Sequence, residues 1–135
     1  MKTYQYQVLR YLPDLITGEF INVGLVFLEP QTSFLRAKVI TIAQRLNSFF
    51  PDAASQPLLT SLRYFADAIN QQEAHRSNIT ALGSSGQLAR ITEALIQPND
   101  AAWQLTPVAK GLTPDPGATF TSFYARLERF LSYCT

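Results

Sequence analysis

Side chains from Tyr4 to Tyr11 sort into two sets at a two-residue period, Tyr4, Tyr6 and Val8 on one side and Gln5, Gln7, Leu9 and Tyr11 on the other. That is the pattern of a half-buried strand. After a turn bracketed by Pro13, Asp14 and Gly18, the run Phe20 to Leu28 is apolar at almost every position, as a central strand covered on both faces requires. Glu29-Pro30 stops it. A third run, Phe34 to Ile40, turns Leu35, Ala37 and Val39 inward and alternates them with Arg36 and Lys38. The segment Tyr4 to Ile40 therefore predicts a three-stranded antiparallel meander.

The period then changes to that of helices. Thr41 and Gln44 have capping-box spacing, and Ile42, Leu46, Phe49 and Phe50 share one helical face until Pro51 forbids continuation. Ser55 with Pro57 opens a second helix, in which Leu58, Leu62, Phe65, Ala66 and Ile69 recur at three and four residues. A third runs from Gln87 to Ile96 with Leu88, Ile91 and Leu95 inward, behind the flexible-looking Gly83-Ser84-Ser85-Gly86. The loop 76–86 gives no usable pattern. Trp103 to Leu105 and Val108 to Leu112 read as one or two short strands, confined by Pro107 to an edge or a bend. Asp115-Pro116 caps a last helix, whose Phe120, Phe123, Tyr124, Leu127, Phe130, Leu131 and Cys134 repeat with amphipathic spacing.

A block of strands, then helices, then a short strand pair and a closing helix imply an α+β fold. The expected sheet is mainly antiparallel, with one face packed by about four helices. At 135 residues the chain is one domain, 1–135, able to bury roughly two thirds of its unfolded surface.

Composition narrows the function classes. Hydrophobic residues at 47% against charged residues at 16% exclude a disordered chain. A formal charge of +1 without any basic run leaves no electrostatic footprint for nucleic acid or an anionic membrane. No apolar run approaches the ~18 residues of a membrane span, and the N-terminus alternates where a signal core would be continuous. The single Cys134 cannot form an internal disulfide, which points to a reducing compartment, so a cytoplasmic location is expected.

One His and one Cys, with neither CxxC nor HxxxH, make a zinc site an unsuitable reading. The Gly83 to Gly86 stretch lacks the lysine and the preceding strand of a phosphate loop, and no cofactor is implied. A Cys134–His75 couple would join two frayed helix ends and reads as peripheral side chains. The polar group Arg10, Asp14, Glu19 and Asn22 carries more interest, because pairing of the first two strands gathers it at one end of the sheet. On a structural account Glu19 pairs diagonally with Arg10, Asp14 closes its own turn, and Gly24 relieves packing or marks a bulge. Asn22 goes further: an amide within an apolar strand needs a partner, so it fixes a loop or receives a ligand. A second surface, Arg36 and Lys38 beside Tyr4 and Tyr6, has the residue types that stack single-stranded bases, yet the near-neutral charge disfavours it.

Three stretches carry a resemblance: Tyr6-Gln-Val-Leu-Arg-Tyr-Leu-Pro-Asp14, Gly18-Glu-Phe-Ile-Asn-Val-Gly24 and Arg45-Leu-Asn-Ser-Phe-Phe-Pro51, with Trp103-Gln-Leu-Thr-Pro107 and Gly111 to Pro116 later on. Together they resemble an uncharacterised bacterial family, the domain of unknown function numbered three thousand and thirty-seven. The chain departs from the family pattern at Val108-Ala109-Lys110, where Arg-Ser or Arg-Thr and a later Gln are usual. The resemblance supplies no catalytic residues. It implies, as context, an accessory or antitoxin-like partnership with a kinase similar to the HipA type.

The expectation is thus a non-catalytic cytoplasmic interaction module with a kinase-like protein partner, contacting it through Arg10, Asp14, Glu19 and Asn22 or the aromatic edge. The alternative is a small enzyme or ligand-binding domain in which Arg10 holds an anion and Glu19 acts as acid or base. Sixteen aromatic side chains also leave room for a homodimer.

Overall fold

The computed structural model describes residues 1–14, 16–41, 55–72, 88, 91–92 and 103–133 and, within these, the side chains of all but 55, 72 and 129–133. The strands β1 (Lys2–Tyr11), β2 (Ile21–Glu29), β3 (Phe34–Val39), β4 (Trp103–Leu105) and β5 (Ala109–Thr113) form one sheet. β3, β2 and β1 lie in that order, and β4 and β5 share the far side of β1. Every pairing is antiparallel, with Tyr6 opposite Phe27, Val8 opposite Leu25 and Val26 opposite Ala37. The α+β class with a mainly antiparallel sheet is therefore as the alternation predicts.

Pro107 explains why the late strand comes in two pieces. β4 pairs with Leu9 to Tyr11 and β5 with Lys2 to Tyr6, and between them proline has no N–H to contribute to the ladder. Thr106 bridges the gap: its N–H donates to the Val8 carbonyl at 3.0 Å, and its Oγ1 accepts the Val8 N–H at 2.8 Å. Its carbonyl accepts Gln7 Nε2 at 3.0 Å.

Both faces of the sheet are covered, not one. On the first, Leu9, Val26, Leu28, Leu35 and Ala37 meet Leu59, Leu62, Phe65 and Ile69 of α1 (Ser55–Gln72). On the second, Leu25 and Phe27 meet Phe120 and Tyr124 of α2 (Pro116–Tyr133). The reason is the run Phe20 to Leu28, which buries every side chain from Val23 to Glu29 and so needs a roof on each side. Within α1, Leu62, Phe65, Ala66 and Ile69 are buried as expected, and only at the start does Leu59 take the buried place expected of Leu58, which packs partly.

Two helices, not about four, are formed by the described residues. The helix expected at 42–50 lies outside them, as does most of 87–96. From the latter, Leu88, Ile91 and Thr92 have helical backbone and are buried on the α1 side of the sheet or against its glutamines. There Thr92 Oγ1 donates to Gln7 Oε1 at 2.8 Å, and the Leu88 N–H reaches Gln5 Oε1 at 3.4 Å. The loop 76–86 and the Cys134–His75 couple also lie outside the described residues.

α2 begins as its sequence implies. The Ala118 N–H donates to Asp115 Oδ1 at 3.2 Å, a side-chain cap directly before Pro116 at the first helical position. Thr113 Oγ1 accepts the Asp115 N–H at 3.0 Å and lies 2.6 Å from Thr119 Oγ1, which ties the end of β5 to the first turn. Phe120 then stands edge-on to Phe27 with centroids 6.0 Å apart, and Tyr4 stacks on Phe27 at 4.9 Å. Tyr4 lies across Gly111, its partner on β5, where any Cβ would collide with the ring.

Among the described residues β3 is an edge strand, and Asn70 of α1 bonds to its outer side. The Ala37 N–H donates to Asn70 Oδ1 at 2.9 Å, and Asn70 Nδ2 donates to the Ala37 carbonyl at 3.1 Å. A single amide satisfies both outward backbone groups and blunts the edge against another strand. Asn70→Ala should lower stability by about 1 to 2 kcal/mol in urea denaturation, since both Ala37 groups lose their partner. Phe120→Ala should be more severe, about 3 to 5 kcal/mol in the same assay, because it empties the aromatic contact that fastens α2 to Phe27.

Candidate functional site

Pairing of β1 with β2 brings Arg10 and Asn22 together through an irregularity. Leu9 faces Gly24 but Arg10 faces Asn22, so Val23 is an extra residue on β2, a bulge. Arg10 Nε donates to Asn22 Oδ1 at 3.2 Å, and the guanidinium lies over the Phe20 ring with Cζ 4.2 Å from its centroid. The Asn22 amide thus has its partner, and the partner is a side chain of the same sheet end. Gly24, beside the bulge, is packed so closely that a Cβ would approach Val39 Cγ1 to 2.9 Å and the Lys38 carbonyl to 3.2 Å. Both structural roles expected of it are met.

Asp14 spends its polar groups on the turn. Its Oδ1 accepts the Ile16 N–H at 2.9 Å, and its carbonyl accepts the Gly18 N–H at 3.1 Å, with Gly18 at φ 70°. Glu19 behaves otherwise. It is exposed, its N–H donates to Thr17 Oγ1 at 3.3 Å, and its carboxylate makes no bond with a described residue. The expected Arg10–Glu19 pair is not formed, because the bulge hands Arg10 to Asn22 instead. Of the four candidates, then, Arg10 and Asn22 are joined, while Asp14 and Glu19 belong to the turn.

Arg10 follows Val8 on the same face of β1, about 7 Å further along the strand. Before Arg10, alongside Tyr6 and Val8, the same face opens into a groove of about 340 Å³, lined by those two residues, Leu25 of β2, and Phe123, Arg126 and Leu127 of α2. Leu25 is the buried floor, and Tyr6, Val8, Phe123 and Leu127 are half-buried walls. Phe123 meets Tyr6 edge-on with centroids 5.1 Å apart. Phe123, Arg126 and Leu127 share one helix face at three- and four-residue spacing. Arg126 is exposed and makes no ion pair with a described residue. The sequence signal for this groove was present in the spacing, but Leu127 reads as core there and Arg126 draws no notice.

The aromatic and basic surface suggested by Tyr4, Tyr6, Arg36 and Lys38 does share one face of the sheet, but α2 packs over its tyrosines and leaves Arg36 and Lys38 exposed. Tyr4 is stacked on Phe27, Arg36 Cζ lies 4.8 Å from the centre of the Phe34 ring, and Lys38 Nζ lies 4.6 Å from that of Tyr124. These rings and cations are engaged with one another. A second cavity, about 190 Å³, separates the β3 edge from α1 and is bordered by Lys38, Ile40, Leu59, Arg63 and Asp67.

Sequence reasoning passed over Glu29, which is wholly buried at 0% exposure. Its Oε1 accepts the Gln31 N–H at 2.8 Å, its Oε2 accepts the Thr32 N–H at 2.8 Å, and the Thr32 hydroxyl also donates to Oε2. The carboxylate organises the β2–β3 turn, in which Ser33 takes φ 56°. An acid before Pro30 with Thr32 two residues beyond it was the available clue.

Protein of unknown function (DUF3037) is the description of the family that matches this chain, over residues 6–127. The chain belongs to that family. No curated protein and no solved structure matches it. Both the Arg10–Asn22 pair and all six residues lining the groove lie within the matched region. Asn22→Ala should cost about 1 kcal/mol in thermal or urea unfolding, since Arg10 Nε loses its acceptor, whereas Glu19→Ala should stay within about 0.5 kcal/mol of the parent.

Proposed function

We propose that this member of the DUF3037 family is a non-catalytic interaction module that receives a partner protein in the groove between α2 and the β1–β2 hairpin. One observation carries the reading: four half-buried apolar and aromatic side chains, Tyr6, Val8, Phe123 and Leu127, surround an apolar floor on an otherwise well-packed face. Such a patch is stabilised when a partner's apolar side chain displaces its water. Supporting it, the polar groups at the hairpin end are largely spent on the fold, with Arg10 bonded to Asn22 and Asp14 bonded to its own turn. The resemblance of the chain extends the proposal to a kinase-like partner of the HipA type, met in the cytoplasm of a bacterial cell, with the protein in an accessory or antitoxin-like role.

Affinity capture from cells that express the protein naturally tests this, with the parent and Leu127→Ser run in parallel and circular dichroism confirming that the variant is folded. The expected result is one protein recovered at near-stoichiometric amount with the parent and lost with the variant. Recovery of no such protein, or its undiminished recovery by Leu127→Ser, would defeat the proposal.

A further inference from the structure

We infer that the groove recognises an acidic-apolar segment of a protein, one bulky apolar side chain seated on Leu25 with a carboxylate beside it held by Arg126. The inference rests on the groove being a protein-docking surface, and it specifies what docks. Volume sets the first limit: about 340 Å³ lies at the bottom of the roughly 300–1,000 Å³ range of ligand sites, which suits one side chain inserted from a larger partner. Chemistry sets the second. Five of the six lining residues, Tyr6, Val8, Leu25, Phe123 and Leu127, are aliphatic or aromatic, with the Tyr6 hydroxyl their one polar side-chain group, and the sixth is a guanidinium on the rim.

Charge supplies the sign. Arg126 makes no ion pair with a described residue, and Glu128, two positions on, falls on the far side of the helix and has a partner of its own. Beyond Val8, just outside the lining, Arg10 adds a second positive charge, held through its Nε to Asn22. A guanidinium pairs with a carboxylate through two parallel hydrogen bonds, a geometry that a lysine cannot reproduce. The groove is therefore apolar at its base and positive at its rim, and its complement is apolar at its tip and negative at its shoulder.

Selection from a displayed random-peptide library on the folded protein tests this, with Arg126→Glu as a parallel target. Peptides enriched on the parent should carry Leu, Met, Phe or Trp with Asp or Glu close by. A synthesised representative should bind Arg126→Glu about tenfold more weakly, and its Lys-for-Glu counterpart should prefer the variant. Neutral or basic winners, binding indifferent to Arg126→Glu, or the absence of any binder that competes at the groove would overturn the inference. A cellular partner captured through Leu127 yet indifferent to Arg126→Glu would refute the charge rule alone, whereas acidic peptides bound here with no cellular partner captured would refute the module reading alone.

Discussion

Strand β1 hydrogen-bonds along both of its edges and packs on both of its faces, so the remaining elements are placed by reference to it. Its even-numbered residues Tyr4, Tyr6 and Val8 meet α2, and its odd-numbered Gln5, Gln7, Leu9 and Tyr11 lie on the α1 side. A slip of one residue in pairing with β2 would exchange the two sets, driving tyrosines into the aliphatic layer and glutamines into the aromatic one. The two sets are not interchangeable. The register is consequently specified by chemistry on both sides at once, and the same choice positions β4 and β5 through Thr106.

Glutamines on a buried face would ordinarily weigh against the fold, since an unbonded amide there is costly. Here each has a partner that also performs a placement. Gln7 joins the Thr106 carbonyl to the Thr92 hydroxyl, and Gln5 meets the Leu88 N–H, so Leu88 and Thr92 are docked to β1 by polar contacts inside an apolar layer. Apolar packing would tolerate several positions for that segment; directional bonds select one. Glu29 applies the same logic at the β2–β3 turn, where a carboxylate with three donors fixes a conformation that includes a non-glycine residue at positive φ.

The strands, α1 and α2 were legible in the sequence because each has a clean period and a local stop: Glu29-Pro30 after β2, Asp115-Pro116 before α2. Coverage of both faces was legible only in part. The almost continuous apolar run of β2 implied it, while the expected block of helices suggested a single roof. The pairing of Arg10 was legible only in outline: Gly24 marked a candidate bulge, but nothing in the sequence chose Asn22 over Glu19 as the partner. Counting back from Leu9 opposite Gly24 without a bulge would set Arg10 opposite Val23, and the extra residue moves it to Asn22. A bulge is a product of tertiary fit around Gly24, against Val39 and Lys38, and no alternation within β1 or β2 announces it. The groove escaped for a related reason: helical spacing marks Phe123 and Leu127 as inward but cannot say how far the sheet beneath them extends.

That groove and the structural use of Arg10 can be traced to one cause. Along the α2 face of β1 the side chains run Tyr4, Tyr6, Val8 and Arg10, from large aromatic to small aliphatic to charged. Phe120, Phe123 and Tyr124 close tightly on the aromatic end, where Phe27 fills the space between strands. At Val8 the floor drops because valine is short, and beyond it a buried guanidinium would forfeit hydration that the single Asn22 bond does not replace. Arg10 accordingly stays half-exposed, with one face against Phe20. Apolar depth beside an obligatory positive charge is thus a consequence of the order of residues on one strand. On the proposed docking role, an occupant that fills the depth also meets the charge, and one lacking a carboxylate would leave the charged part of the surface unused.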